Sequence, residues 1–372
     1  MPIYMDRHDL SGATAKDVAQ AHQNDLRIQE QYGCKGLTYW FDEERGTAFC
    51  LIEAANENSV KRMHDHAHGL VPHQIIEVEK NIVESFLGRI QDPEPDKSVD
   101  KSGLLILNDP AFRIIMAIET EDSELIQYCK NHNISETLKQ NYNEIIQKKL
   151  SEFKGSLVEH VKEGFLVSFS SVSKAVSCTL EIQSELQSVM TTPEMKLSAQ
   201  IGLSAGVPVT KNKSFFGETI QQAKRLCKTA KNGHIYISST LSDYLNNNDL
   251  KQLNEHELIK ILKSDEEEFL RQLYVVTKTY WNDPDFTVKL FNSKMGLSKS
   301  QMYRKTISTT GLSPNDFIKE YRLKMSLSRL KSSQGNISEI AYESGFSSPS
   351  YFSKCFQKRY KSLPSDYLFS DS

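Results

Sequence analysis

Histidines are concentrated near the start of the chain, and their spacing could bind a metal ion. Half of the ten histidines fall within the first 68 residues, at His8, His22, His64, His66 and His68. His64 and His68 are four residues apart in a segment with helical spacing, so both rings would lie on one helix face. Imidazoles one turn apart suit nickel, copper or zinc. Surface histidines of a solvated helix have the same spacing, so both interpretations stay open.

Two segments near the C-terminus combine basic and aromatic side chains around a tight corner, and such segments could contact a polyanion. They are FTVKLFNSKMGLSKSQMYRKTISTTGLSP and ISEIAYESGFSSPSYFSKCFQKRYKSLP. Gly296 and Gly345 stand at the two corners. Ser298 in the first segment, and Ser347 or Ser348 in the second, suit the N-cap of the helix that follows. The pattern predicts two helix-turn-helix units, in which the second helix of each unit can enter a DNA major groove.

Charge is unevenly distributed along the chain. Residues 283–372 contain 14 Lys and Arg against 8 Asp and Glu, a net charge of +6. The whole chain has a net charge of −3, which leaves −9 for residues 1–282. A basic tail on an acidic body suggests that only the tail meets a polyanion, although a merely solvated surface would have the same composition.

Composition limits the classes of protein that fit. The 372 residues are 38% hydrophobic and 25% charged, which is ordinary for a globular protein of two or three domains. No apolar run approaches the roughly 20 residues of a membrane span, and no export signal is visible at the N-terminus. The six cysteines are scattered without a CxxC pair, which favours reduced thiols over disulfides. We therefore expect a cytoplasmic protein with no membrane association.

Hydrophobic periodicity predicts a multidomain α+β chain. Residues 1–80 have the order βαββαβ of a ferredoxin-like domain, and a charged, proline-containing linker follows over 81–110. Residues 111–247 alternate buried strands with amphipathic helices, as in an α/β domain, and KLSAQIGLSAGVPV within them is expected to form a strand pair. A connection over 248–282 leads to an all-α double helix-turn-helix domain at 283–372, in which DFIKEYRLKMSLSRLKSS forms the connecting helix.

The last 90 residues resemble the DNA-binding domain of the AraC family of transcription regulators. LSKSQMYRKTISTTGLSPNDFIKEYRL and ISEIAYESGFSSPSYFSKCFQKRYKSLPSDY carry the resemblance. It implies double-stranded DNA as partner and two recognition helices, with Met302, Phe352 and Phe356 in the core. The base-facing residues carried over by position are Ser300, Gln301, Tyr303 and Arg304 in the first helix, and Pro349, Ser350, Tyr351 and Lys354 in the second.

Some of these side chains have chemistry suited to a particular base. Arg304 could bind guanine bidentately, and Gln301 could bind adenine. Tyr351 could contact a thymine methyl group. Arg304 could instead bind a phosphate, which would position the domain without reading sequence.

The middle of the chain is similar to class III nucleotide cyclase catalytic domains. FRIIMAIE, GSLVEHVKEGFLVSF, LSAQIGLSAGVPV and FFGETIQQAKRLCKTAKNGHIYIS carry this resemblance. The family uses two aspartates to hold divalent ions that activate the 3′-hydroxyl and bind the triphosphate. Ile118 and Glu163 stand at those positions, Gln221 replaces the transition-state asparagine, and only Arg225 matches. The resemblance therefore implies an inactive, cyclase-like domain.

The first 80 residues resemble small bacterial nickel-binding proteins with a ferredoxin-like fold. MDRHDL, AHQNDLRIQEQYG, YWFDEERGTAFCLIEA and MHDHAHGL carry the resemblance. It implies a divalent transition metal as cofactor, nickel before zinc or copper. The implied ligands are His8, His22, His64 and His68.

Together these features predict a sequence-specific DNA-binding transcription regulator, not an enzyme. Its N-terminal and middle domains would sense a metal or small ligand, or dimerise the chain. A homodimer is expected, and RNA polymerase is an additional candidate partner. Two alternatives stay open: a nucleotide cyclase fused to a DNA-binding domain, and a constitutive dimeric regulator without a ligand.

Overall fold

The described residues cover most of the chain and fall into two compact units. The structure is a computed structural model, and it describes residues 1–94, 104–120, 132–161, 164–188, 198–230, 233–245, 250–251, 253, 255–332, 335–360 and 362–367. The chain divides into two compact units. The first comprises Met1–Ala117, Leu150–Ser177 and Leu203–Lys224, and the second comprises Ile118–Lys149, Cys178–Gly202 and Arg225–Ser372. No helix within the described residues has the length and apolar character needed to cross a membrane.

A four-stranded antiparallel sheet with helices forms the N-terminal domain. Its elements are β1 (Ile3–Asp9), α1 (Ala15–Ile28), a 3-10 turn (Gln29–Tyr32), β2 (Cys34–Asp42), β3 (Thr47–Ala54), α2 (Glu57–His68) and β4 (Gln74–Val78). The strand order is β2-β3-β1-β4, with β1 antiparallel to both β3 and β4. The predicted βαββαβ order is confirmed.

Local sequence signals begin and end the two helices of this domain. Thr14 caps α1: its side chain accepts from the Asp17 N–H, and the Asp17 carboxylate accepts from the Thr14 N–H at 2.9 Å. Asn56 caps α2 by accepting from the Ser59 N–H at 3.0 Å. Gly69 ends α2 at a φ of +78°, a conformation that glycine adopts without a Cβ penalty.

Part of the predicted linker has regular structure. Helix α3 (Lys80–Leu87) directly follows β4. Leu104 and Leu107, beyond the segment 95–103 that the structure does not describe, pack against the hydrophobic core of the N-terminal domain. The domain boundaries drawn from the sequence stay a prediction.

The middle region is built on a mixed six-stranded sheet, as predicted for an α/β domain. Its elements are β5 (Arg113–Thr120), α4 (His132–Glu152), β6 (Ser156–Val161), β7 (Gly164–Phe169), α5 (Val172–Ser188), β8 (Ala199–Gly206), α6 (Gly217–Thr229), β9 (Ile235–Ile237), α7 (Ser239–Ser242) and β10 (Ile259–Ile261). The strand order is β10-β9-β8-β5-β7-β6, with β6 antiparallel to β7 and β9 parallel to β10.

One expectation for this sheet is wrong. The segment expected to form a strand pair contributes a single strand, β8, within the described residues. Pro208 follows two residues after the end of β8, and a proline cannot donate to a strand ladder.

Helices alone form the C-terminal region. They are α8 (Ser264–Tyr280), α9 (Val288–Lys294), α10 (Lys299–Thr310), α11 (Pro314–Lys331), α12 (Ile337–Glu343) and α13 (Pro349–Tyr360), followed by a 3-10 turn (Pro364–Tyr367). The pairs α9–α10 and α12–α13 are the two predicted helix-turn-helix units. The connecting helix α11 has 18 residues and is therefore about 27 Å long. The predicted fold class is confirmed.

Candidate metal centre and nucleic-acid interface

Buried ligand-type side chains form two adjoining groups in the N-terminal domain. In each group the potential ligand atoms all lie within 4.8 Å of one another. The first group contains Asp6, His8, Cys50 and His64, and the second contains Asp25, His64 and His68. His64 belongs to both groups, and all of these residues are buried except His68, which is half-buried.

Strand pairing brings the first group together. Asp6 and His8 are two residues apart on β1, so their side chains lie on the same face of the sheet. β3 runs antiparallel to β1, and the Cys50 N–H donates to Asp6 Oδ1 at 3.1 Å. The other carboxylate oxygen, Asp6 Oδ2, lies 2.8 Å from His64 Nε2. A strand pair and helix α2 thus position four potential ligands.

Helices α1 and α2 form the second group. His64 Nδ1 and His68 Nε2 are 3.2 Å apart, so the four-residue spacing places both rings together as predicted. Asp25 on α1 faces both rings: its Oδ1 lies 3.1 Å from His64 Nδ1 and 3.2 Å from His68 Nε2. The two ring nitrogens of His64 therefore face different carboxylates.

The charges within this cluster reinforce one another. Burial disfavours ionised Asp6, but the nearby His8 and His64 rings outweigh it and hold the pKa of Asp6 below its ordinary value. Burial likewise disfavours charged His64, yet Asp6 and Asp25 raise the pKa of His64 to about 10. Burial and the neighbouring carboxylates raise the pKa of the Cys50 thiol. The two carboxylates and the His64 ring therefore stabilise one another's charged forms.

The residues present fit a transition metal ion. His8 Nε2 lies 3.3 Å from Asp6 Oδ1, and Asp25 Oδ1 lies 3.1 Å from His64 Nδ1, so buried nitrogen and carboxylate atoms face each other in both groups. In each group the nitrogen, oxygen and sulfur atoms lie close enough together to bind one ion. Imidazole nitrogens with carboxylates suit nickel, copper, zinc and iron. Asp6, His8 and His64 could hold one ion, and Asp25 and His68 could bind on the other side of His64.

The structure brings three of the four predicted metal ligands together and separates the fourth. His22 is buried elsewhere, where its Nε2 lies 3.1 Å from Asp92 Oδ2. Asp25 takes its place in the cluster, three residues further along the same helix. Sequence reasoning missed Asp6, Asp25 and Cys50, although Asp6 could have been found from its i, i+2 relation to His8 on a strand.

The first recognition helix, α10, presents most of the predicted DNA-contacting residues to solvent. Ser300 and Arg304 are exposed, and Tyr303 exposes 54% of its surface. Arg304 makes no hydrogen bond or ion pair with any other described residue, so its guanidinium is available. Gln301 is exposed but committed, because its Oε1 accepts from the Ser298 N–H at 3.1 Å and from Ser298 Oγ at 2.9 Å. This is a capping box, and it occupies the group that was expected to bind adenine.

The second recognition helix, α13, has a similar exposed face. Ser348 caps the helix, since its Oγ accepts from the Tyr351 N–H at 3.2 Å. Ser350 and Lys354 are exposed, Tyr351 exposes 49% of its surface, and Pro349 is half-buried. The ammonium of Lys354 has no partner among the described residues. Met302 in α10 and Phe352 and Phe356 in α13 are fully buried, as predicted for core residues.

Position 118, where active cyclases have the first metal-binding aspartate, offers no carboxylate in this chain. Ile118 is buried within β5, and the adjacent Glu119 carboxylate lies 2.9 Å from Lys324 Nζ of α11. Gln221 is exposed on α6, and Arg225 on the same helix is half-buried. Glu163 lies outside the described residues.

Two family models match separate parts of the chain. Residues 4–78 match the family described as "Nickel responsive protein SCO4226-like", and residues 292–369 match the family described as "Helix-turn-helix domain". The predicted resemblances of the N-terminal and C-terminal regions are confirmed.

Parts of this chain are similar to parts of longer curated proteins. Histidine kinase P4 of Formosa agariphila is 37% identical over 106 residues, which is 28% of this chain and 8% of the kinase. The HTH-type transcriptional activator RhaS of Mannheimia succiniciproducens is 37% identical over 71 residues, 19% of this chain and 26% of the activator. The chain thus spans well under half the length of these relatives.

Solved structures of three kinds are also similar to parts of the chain. SCO4226 of Streptomyces coelicolor is 34% identical, with a TM-score of 0.20, over 20% of this chain and 94% of that chain. An AraC-type transcriptional regulator of Chromobacterium violaceum is 18% identical, with a TM-score of 0.27, over 30% of this chain and 100% of that chain. A bacterial light-regulated adenylyl cyclase is 15% identical, with a TM-score of 0.31, over 66% of this chain and 88% of that chain. These scores support no conclusion about activity.

Proposed function

We propose that this chain is a transcription regulator that binds specific DNA sequences and responds to a divalent transition metal, nickel in the first place. The observation that carries the proposal is the combination of two exposed recognition helices with a buried histidine–carboxylate cluster on one chain. The cytoplasm is the compartment where such a regulator meets its DNA.

Charge and exposure support DNA binding by α10 and α13. Residues 283–372 have a net charge of +6, which favours contact with phosphates. Arg304 and Lys354 each lie on the solvent-facing side of a recognition helix. Because neither side chain is held by another described residue, DNA contact would not cost an internal hydrogen bond. Helix α11, about 27 Å long, connects the two helix-turn-helix units, so both belong to one continuous helical domain.

The buried cluster supports metal sensing by the N-terminal domain. A cation bound in the first group would be favoured by the buried carboxylate of Asp6, and one in the second group by that of Asp25. An ion in the first group would join β1 to α2, and an ion in the second group would join α1 to α2, so each would link elements that are distant in sequence. A metal shifts a conformational equilibrium only if it binds one conformation more tightly than another. Stronger pairing of two copies on adjacent half-sites would be one such outcome.

The middle domain is proposed to have no cyclase activity. Ile118 offers no metal ligand, and the neighbouring carboxylate of Glu119 is engaged with Lys324. Purified protein given ATP or GTP with manganese should therefore form no cyclic nucleotide above background. Product formation that Glu163→Ala abolishes would support the alternative of a cyclase fused to a DNA-binding domain.

Titration calorimetry of the full-length protein with nickel, zinc and copper tests the metal site. We expect uptake of metal by the wild type and loss of that uptake in the double variant His64→Ala with His68→Ala. His66→Ala is the matched control, because His66 lies on the same helix, is exposed and belongs to neither group. His22→Ala should also retain uptake, since His22 is paired with Asp92.

Two results would count against metal sensing. Wild-type protein that takes up none of the three metals would leave a constitutive regulator as the better description. Equal loss of uptake in the His66 control would place binding on the helix surface instead of in the buried cluster.

A further inference from the structure

The last turn of the first recognition helix, α10, is held by two neighbouring strands of the six-stranded sheet. Lys260 Nζ on β10 donates to the carbonyl oxygen of Ser308 and, at 3.4 Å, to that of Thr309. Tyr236 Oη on β9 donates to the same Thr309 oxygen at 3.4 Å. Lys260 and Tyr236 are direct partners in the parallel pairing of β9 with β10, so one point of the sheet supplies both donors.

These contacts suit the chemistry of a helix C-terminus. The last carbonyl groups of a helix have no partner within the helix, and they form its partially negative end. A lysine ammonium is favoured there. Lys260 also lies 5.3 Å from the centre of the Tyr236 ring, and partial burial lowers its pKa. Because the ammonium is partly shielded from water, its contact with the helix end is stronger than a surface contact would be.

A shared hydrophobic core adds to these polar contacts. One cluster joins residues of the sheet region, of α8, of the first helix-turn-helix unit and of the start of α11: Leu226, Ala230, Tyr236, Leu262, Phe269, Leu270, Leu273, Phe286, Phe291, Met295, Met302, Phe317 and Ile318. The second unit has its own cluster, whose described members all lie at or after Leu323. The first recognition helix is thus anchored on residues that precede the DNA-binding domain, whereas the second is attached through α11.

We propose that Lys260 and Tyr236 are positioning residues for DNA recognition: they fix the C-terminal end of α10, and hence the angle at which its exposed face meets the bases. The inference rests on the proposed DNA-binding function. Lys260 is committed to backbone carbonyls, so its role is separate from phosphate binding. Loss of the contact would let α10 tilt and would weaken readout at the half-site of α10 while leaving the half-site of α13 unaffected.

The test uses full-length protein and a DNA duplex selected from a random library. Here the half-site of α10 means the base pairs that α10 contacts. It is identified as the part of the duplex where Arg304→Ala relaxes base preference. Lys260→Met should weaken binding about three- to tenfold, and Tyr236→Phe about twofold. The loss should disappear on a duplex whose α10 half-site is already scrambled. Lys260→Arg, which keeps a cationic donor, should restore binding to within about twofold of the wild type.

Lys263→Met is the matched control, because Lys263 is exposed on the same segment and carries the same charge. Its affinity should equal that of the wild type within experimental error. The dependence of affinity on salt concentration separates positioning from phosphate contact. Removal of a phosphate contact lowers the salt slope by about 1, and removal of a positioning contact leaves the slope unchanged.

Several outcomes would overturn the inference. They are wild-type affinity in Lys260→Met, equal losses on the intact and scrambled duplexes, and a lowered salt slope. If Lys260→Met fails to fold, Tyr236→Phe replaces it as the deciding variant. This substitution removes only the hydroxyl group that donates to Thr309, so the fold should be retained. An affinity equal to that of the wild type would then overturn the proposal. A wild-type protein that selects no DNA sequence would instead refute the proposed function.

Discussion

Replacement of Arg304 by alanine should weaken specific DNA binding without weakening the fold. Arg304 is exposed on α10 and makes no hydrogen bond or ion pair with another described residue, so its removal breaks no polar interaction within the fold. Surface substitutions of this kind change stability by no more than about 0.5 kcal/mol. One bidentate contact with guanine contributes about 1–3 kcal/mol, which corresponds to a roughly 5- to 150-fold increase in Kd.

Gln301→Ala offers an informative contrast on the same helix. The Gln301 oxygen accepts two hydrogen bonds from Ser298 in the capping box. Its loss should lower the free energy of unfolding by about 0.5–1 kcal/mol, as for other helix caps. Base preference should change little, because the side chain is already occupied. Sequence reasoning alone predicts the opposite, namely a loss of preference for adenine.

The assay combines thermal unfolding with fluorescence anisotropy on the selected duplex and on duplexes with single base-pair changes. We expect Arg304→Ala to unfold like the wild type but to lose discrimination at one base pair. A uniform loss over all duplexes, with the salt slope lowered by about 1, would identify Arg304 as a phosphate contact instead. Unchanged affinity for the selected duplex would refute the assignment of α10 as a recognition helix.

Three further predictions concern stability, and thermal or denaturant unfolding checks each of them. Nickel at a free concentration 100-fold above its Kd should stabilise the N-terminal domain by about 2.7 kcal/mol, and His64→Ala with His68→Ala should abolish this effect. Gly345→Ala should cost about 1–3 kcal/mol, because φ is +78° and a Cβ would lie 2.6 Å from the Trp281 carbonyl oxygen; unchanged stability would show that the corner adjusts freely. Phe356→Ala should cost about 3–5 kcal/mol, since the ring is fully buried, and a cost below 1 kcal/mol would contradict tight packing there.

Helices and strands with a clear hydrophobic periodicity could be predicted from the sequence. The residues that begin and end them could be recognised there as well. The βαββαβ order and the two helical corners follow from hydrophobic spacing and from glycines such as Gly345. The capping role of Gln301 could also be predicted from the sequence, because Ser298 and Gln301 form the S-x-x-Q pattern of a capping box. The resemblance to DNA-binding domains instead implies a base contact at this position.

The candidate metal site could be predicted only in part. His64 and His68 meet because a helix brings i and i+4 together, which is a local rule. Asp25 and Cys50 join them through helix packing and strand pairing between segments distant in sequence. The contact of Glu119 with Lys324 spans 205 positions along the chain. No periodicity encodes such pairs, so only the folded structure reveals them.

The most direct test of metal-responsive DNA binding is an equilibrium titration of full-length protein against its selected duplex, with and without nickel. We expect the metal to change the Kd of the wild type and of His66→Ala by at least fivefold. The double variant His64→Ala with His68→Ala should bind DNA like the metal-free wild type under both conditions. A wild-type Kd that nickel leaves unchanged, in protein that calorimetry shows to be metal-loaded, would contradict the coupling of the metal site to DNA binding.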